Sequence, residues 1–171
     1  MKRVIFDTNV YGKLITEPDF SYLKNCIISD KNLAVYGYLL IRKELRDIPK
    51  QPLRSKQTRI LLLGLYDDIT KGKMLRHSQE IVQLAESYCM SYKRKGGIYG
   101  WKTNIKVDFM LVACAALHGL DVVISDDTKT LGSCQALKAY SEVNRERKIR
   151  TPSFLTYTEF SEKLRNQSST L

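Results

Sequence analysis

The sequence predicts an α/β fold in which short parallel strands alternate with helices, and three observations carry that prediction. Val4-Ile5-Phe6 is a short apolar run that ends at once in Asp7, followed by the cap-forming Thr8 and Asn9. Asp121-Val122-Val123-Ile124-Ser125 is a second short buried run, and it too ends in acid, Asp126-Asp127. Between them lie segments with helical spacing of apolar residues, which is the βα alternation of a parallel sheet covered by helices. In such sheets ligands bind at the carboxyl ends of the strands, so an acid delivered there is placed for chemistry.

Taken in order, the first strand leads into a short helix over Val10 to Ile15 that breaks near Pro18. Asp19 is the expected cap of a second helix carrying Phe20, Leu23, Ile27 and Ile28. Leu33 to Tyr38 has the composition of a second strand. The next helix, Leu39 to Ile48, sets Leu40, Ile41, Leu45 and Ile48 on one face. Glu44 falls in the middle of that apolar face, away from Arg42, Lys43 and Arg46. An acid there is costly unless it is paired with a base or bound to a cation.

Pro49 and Pro52 end this helix, and a long helical stretch follows from about Pro52 to Thr70. Ser78 is the expected cap of a further helix, which ends in Lys93-Arg94-Lys95. Basic residues suit a helix C-terminus, and they also suit phosphate. Gly96, Gly97 and Gly100 mark a mobile loop, with Tyr99 and Trp101 as candidate stacking platforms for bases. Asn104 to Asp108 opens the most apolar helix of the chain, uncharged from Phe109 to Leu117 and stopped by Gly119. Asn104 falls on the same helical face as Asp108. Helix is expected again from Gly132 to Lys148, then a strand region over Ile149 to Tyr157 and a terminal helix from Thr158. A single domain over residues 1–165 with a flexible tail over 166–171 is the resulting organisation.

Composition narrows the function. The 171 residues carry a net charge of +10, from 28 Lys and Arg against 18 Asp and Glu, and an excess of that size suits a polyanionic partner. The four cysteines form no C-x-x-C pair and, with two histidines, offer no zinc spacing. No stretch is long enough to span a bilayer, so no membrane partner is expected and a reducing cytoplasm is the expected compartment.

Each acid alone has an ordinary explanation: a turn cap, a buried ion pair at Glu44, a favourable helix-dipole position at Asp108. Their joint pattern does not. Closely spaced carboxylates need protons or hard cations, and oxygen-only donors favour Mg²⁺ or Mn²⁺ over zinc.

These stretches, Val4 to Asn9, Glu44, Asp108 with the apolar run to Leu120, and Val122 to Asp127, resemble the PIN-domain family of metal-dependent ribonucleases over about the first 130 residues. The resemblance implies a Rossmann-like α/β/α sandwich with a central parallel sheet, and cleavage of single-stranded RNA with Mg²⁺ or Mn²⁺. Many members are VapC-type toxins that dimerise and are blocked by an antitoxin, while others process RNA. Carried over, Asp7, Glu44, Asp108 and Asp127 are the catalytic, metal-binding acids. Ser125 is the accompanying hydroxyl, and Thr8 and Asn9 orient the first acid. Asp126 is an extra acid that replaces or assists Asp127. Lys93, Arg94, Lys95, Lys102, Lys106 and Lys129, near these motifs in sequence, are the candidates for guiding RNA. The stretches 49–99 and beyond 131 are longer than in a minimal toxin of the family.

Other acid-at-strand-end folds fit less well. A haloacid-dehalogenase type needs D-x-D after the first strand, where Asn9 stands here. A two-component receiver needs an acidic pair in that place. A catalytically weak PIN-like RNA-binding or scaffolding subunit is the non-enzyme alternative.

Overall fold

The computed structural model describes residues 1–47, 56–101 and 105–168. Five strands form one parallel sheet: β1 (Lys2–Phe6), β2 (Leu33–Tyr38), β3 (Met74–Leu75), β4 (Val122–Ile124) and β5 (Ser153–Leu155), in the order β3-β2-β1-β4-β5. The chain moves outward from β1 through β2 to β3, then crosses back to β4 on the other side of β1. Helices on the two halves of this path fall on opposite faces of the sheet, as right-handed crossovers require. The expected Rossmann-like α/β/α sandwich with a central parallel sheet is what the chain forms.

One group of packed helices comprises α1 (Thr8–Leu14), α2 (Phe20–Ser29), α3 (Leu39–Asp47), α4 (Lys56–Thr70) and α8 (Tyr157–Ser168). The other comprises α5 (Gln79–Arg94), α6 (Ile105–Leu117) and α7 (Cys134–Glu146). Helix α6 is the centre of the second layer, because its apolar residues wrap the whole helix and nearly all are buried. Phe109 meets Tyr88, Tyr92 and Tyr140 edge-on, with ring centroids 6.4, 5.5 and 5.4 Å away. Truncating such a fully buried aromatic to alanine typically costs about 3–5 kcal/mol. Gly119, at φ +61°, ends α6 in a Schellman turn, with Leu120 N donating to Ala115 O and Gly119 N to Ala116 O.

Several local expectations hold. Strand β2 has the expected bounds, and Ser78 caps α5 by accepting from Ile81 N. Cys114 is a buried core residue, and all four cysteines are free. Other details differ. Asp19 stands at the N-cap of α2, but its side chain makes no cap bond. It accepts from the Arg165 guanidinium at 3.0 Å on both oxygens, and that bidentate pair ties α2 to α8. Strand β3 was not expected. The final helix runs on through Ser168. Ile48, Pro49, Pro52, Lys102 and Asn104 lie outside the described residues.

Candidate metal centre at the sheet's switch point

Strand order reverses between β1 and β4, and this is the crevice where doubly wound sheets bind ligands. Phe6 and Ile124 are register partners at the ends of those two strands, and Asp7 N donates to Ile124 O at 2.9 Å. The two acidic turns therefore leave the sheet side by side. Asp7 becomes the N-cap of α1, with one carboxylate oxygen accepting from Thr8 N at 2.7 Å. Its other oxygen accepts from Asn9 Nδ2 at 2.5 Å and from Ser125 Oγ at 2.6 Å. Ser125 Oγ in turn accepts from Asp127 N at 3.0 Å. One hydroxyl thus links the first acid to the backbone of the last.

Glu44 and Asp108 come from the helices. Glu44 Oε2 accepts from Thr8 Oγ1 at 2.5 Å. Among the described residues no Lys or Arg pairs with it, so the buried ion pair that would have explained its position is not formed. Asp108, in the first turn of α6, accepts from Thr130 Oγ1 at 2.8 Å. The same hydroxyl contacts Asp127, whose carboxylate also accepts from Lys129 N and Thr130 N, both at 2.9 Å. A single hydroxyl proton cannot serve two carboxylates. Asp127 therefore relies on the turn amides, with Leu131 N at 3.4 Å beside those of Lys129 and Thr130, whichever carboxylate the hydroxyl serves.

The electrostatics point the same way. Burial, helped by the charges of Glu44 and Asp127, pushes the Asp7 carboxyl up to about 6 against the hydrogen bonds from Ser125 and Thr8. Burial likewise lifts Asp108 to about 7, opposed by Thr130 and reinforced by Asp7, Asp127 and Glu44. Four carboxylates from four elements therefore sense one another.

Among the described residues no three such side chains converge into a ready-made ligand cage. The donor set still fits a hard divalent cation, since it is all oxygen and mutually repelling.

Asp126 is not directed to this cluster. Its Oδ1 accepts from Tyr157 N at 2.9 Å, and its Oδ2 pairs with Lys13 Nζ at 2.6 Å. Thr130 and Lys13 were not among the expected site residues. Thr130 stands three positions after Asp127, a spacing typical of turn-capping hydroxyls, which gives no hint of its second contact.

The basic candidates scatter in role. Arg94 and Lys95 both pair with Glu142 of α7, and Lys93 Nζ donates to Ile98 O at 3.0 Å. Lys106 lies over the Trp101 ring, 5.4 Å from its centroid, and that ring packs partly buried against the core. Lys129 is exposed.

No protein-family model matches the chain, and no curated protein matches it in sequence. Solved structures do. The chain is similar to one in the crystal structure of VapBC2 from Rickettsia felis bound to a DNA fragment from their promoter, with a TM-score of 0.58 at 12% identity over 90% of this chain and 98% of that one. It is similar to another in the structure of FitAB bound to an IR36 DNA fragment, with a TM-score of 0.53 at 14% identity over 90% and 94%. The chain shares their fold. Among the described residues no helix is long and apolar enough to cross a membrane.

Proposed function

We propose that this protein is a Mg²⁺- or Mn²⁺-dependent endoribonuclease that cleaves single-stranded RNA, acting as the toxin of a toxin–antitoxin pair or in RNA processing. The observation that carries the proposal is that Asp7, Glu44, Asp108 and Asp127 lie within electrostatic reach of one another near the switch point, with burial and mutual repulsion raising Asp7 and Asp108. A scaffold gains nothing from four mutually repelling carboxylates, one buried and three half-buried, near one another at a sheet edge. The VapBC2 and FitAB complexes share the fold, which supports an antitoxin-like partner for this chain as part of the same reading.

In this reading Asp7, Glu44, Asp108 and Asp127 hold the cation. When bound, a divalent cation activates water and neutralises charge developing on the phosphate. Ser125, Asn9 and the Thr8 amide fix both oxygens of Asp7, so that it meets its ligand without reorganising. Thr8 Oγ1 and Thr130 Oγ1 each hold one oxygen, of Glu44 and of Asp108. Outer contacts of this kind typically affect metal affinity about 10–100-fold. The net charge of +10 supplies the attraction for RNA.

Thermal unfolding with and without Mn²⁺ tests this. At a hundredfold excess over its dissociation constant the ion adds about 2.7 kcal/mol, or about 5–10 °C for a chain of this size. No shift at saturating Mn²⁺ defeats the proposal.

A further inference from the structure

Asp126 and Asp127 are adjacent acids on one turn, and the structure separates their roles. Asp127 faces Thr130 and Ser125, while Asp126 is held between α1 and α8. Its Oδ1 holds the first amide of α8, Tyr157 N, at 2.9 Å. Its Oδ2 holds Lys13 Nζ of α1 at 2.6 Å, and that ammonium also lies over the Tyr157 ring, 5.9 Å from its centroid. Its backbone N donates to Asn9 Oδ1 at 3.3 Å, the same side chain whose Nδ2 holds Asp7. Residue 126 is therefore anchored to α1 twice and to α8 once. The Asp126 side chain is only 18% exposed, so its charge is well shielded from water and depends on these partners.

We infer that Asp126 is a positioning residue and not a metal ligand: locked to Lys13 and to the start of α8, it holds the peptide that turns Asp127 and Ser125 toward the acid cluster. This rests on the proposed function, because it concerns the same metal site. The two adjacent carboxylates have different holders, Asp126 the α1 ammonium and the α8 amide and Asp127 the amides of Lys129 and Thr130, so fastening the first on the helices fixes the peptide that carries the second. Lys13 is then the cation that satisfies the surplus acid, leaving the other four for the ion.

The two roles differ in sign for Lys13. If Asp126 were a ligand, removing Lys13 would free its carboxylate and tighten metal binding. If Asp126 positions Asp127, removing Lys13 loosens the turn and weakens binding. The test is calorimetric titration of Mn²⁺ at a temperature where every variant is folded, beside a thermal double-mutant cycle in EDTA. Asp126→Asn and Lys13→Met are each expected to weaken Mn²⁺ binding by a similar factor of about 10, with unchanged stoichiometry. The double variant should be no weaker than either, and Lys13→Arg should restore binding. In EDTA the two substitutions should lower Tm non-additively, by about 2–4 °C each. Loss of binding in Asp126→Asn to the extent seen in Asp7→Asn overturns the inference, as does tighter binding in Lys13→Met or additive Tm changes. A wild type that binds no Mn²⁺ defeats the proposed function, and this inference with it.

Discussion

Ser125 donates its hydroxyl to Asp7 at 2.6 Å across the crevice between β1 and β4, from 118 positions away in the chain. Because the same oxygen accepts from Asp127 N, it couples the two strand-end acids into one unit. Ser125→Ala is expected to leave Asp127 N without that acceptor and to lift the Asp7 carboxyl above its present value of about 6. Losing a hydrogen bond to a charged group costs about 1.5–3 kcal/mol. Urea unfolding and Mn²⁺ titration should show that loss together with roughly tenfold weaker binding.

The raised acids make stability depend on pH in a definite direction. The folded chain holds protons on Asp7 and Asp108 up to about 6 and about 7, whereas an unfolded chain releases them near 4. Between those values the unfolded state binds fewer protons, so stability falls as pH rises. The decline in the metal-free protein falls between about pH 4 and pH 8, with Asp108 carrying it to the higher pH. Asp108→Asn should flatten this decline and raise Tm at pH 8 in EDTA. Urea midpoints across the pH range measure it directly.

Thr130 tests the idea that the cluster is held from outside as well as from strand ends. Thr130→Val keeps the shape and removes the hydroxyl that contacts Asp108 and Asp127. Since that bond lowers the Asp108 carboxyl, its loss should raise Asp108 further and move the alkaline stability decline to higher pH. Mn²⁺ affinity at pH 7 should fall by about 10-fold. An unchanged titration would separate Thr130 from the site.

Gly132 closes the turn that carries Asp127. Its N donates to Asp127 O at 2.7 Å, and a Cβ built on it would meet that oxygen at 2.9 Å. Backbone cannot yield there as a flexible side chain would. Gly132→Ala should cost about 1–3 kcal/mol and weaken metal binding by displacing Asp127, both readable by thermal unfolding in EDTA and in Mn²⁺.

Much of this site was legible before any coordinates, because strand-then-acid and helix-face patterns are local. Asp7, Glu44, Asp108 and Asp127 each had an ordinary local explanation and stood out only jointly; the structure sets them near the same strand ends, within electrostatic reach of one another, though among the described residues no three converge into a ligand cage. Asp126 and Asp127 could not be told apart in sequence, since what separates them is the position of Lys13 and Tyr157 after folding. Thr130 was hidden for the same reason: its bond to Asp108 forms only when the turn folds back against α6. Strand β3 escaped because two residues carry no period, and pairing with Gly37 and Tyr38 defines it. A left-handed pair, Lys71 and Gly72, at φ +48° and +74°, turns the chain into that pairing. The Lys93-Arg94-Lys95 run shows the limit of charge counting, since Glu142 on a distant helix takes up two of its three cations.

The central claim is that Asp7 anchors a metal-dependent centre for cutting RNA. It is tested most directly by incubating wild type and Asp7→Asn with end-labelled single-stranded RNA in Mn²⁺, Mg²⁺ or EDTA. The account predicts cleavage by wild type with either ion, none in EDTA, and none by Asp7→Asn under any condition. Equal cleavage by Asp7→Asn, or cleavage that persists in EDTA, would contradict it.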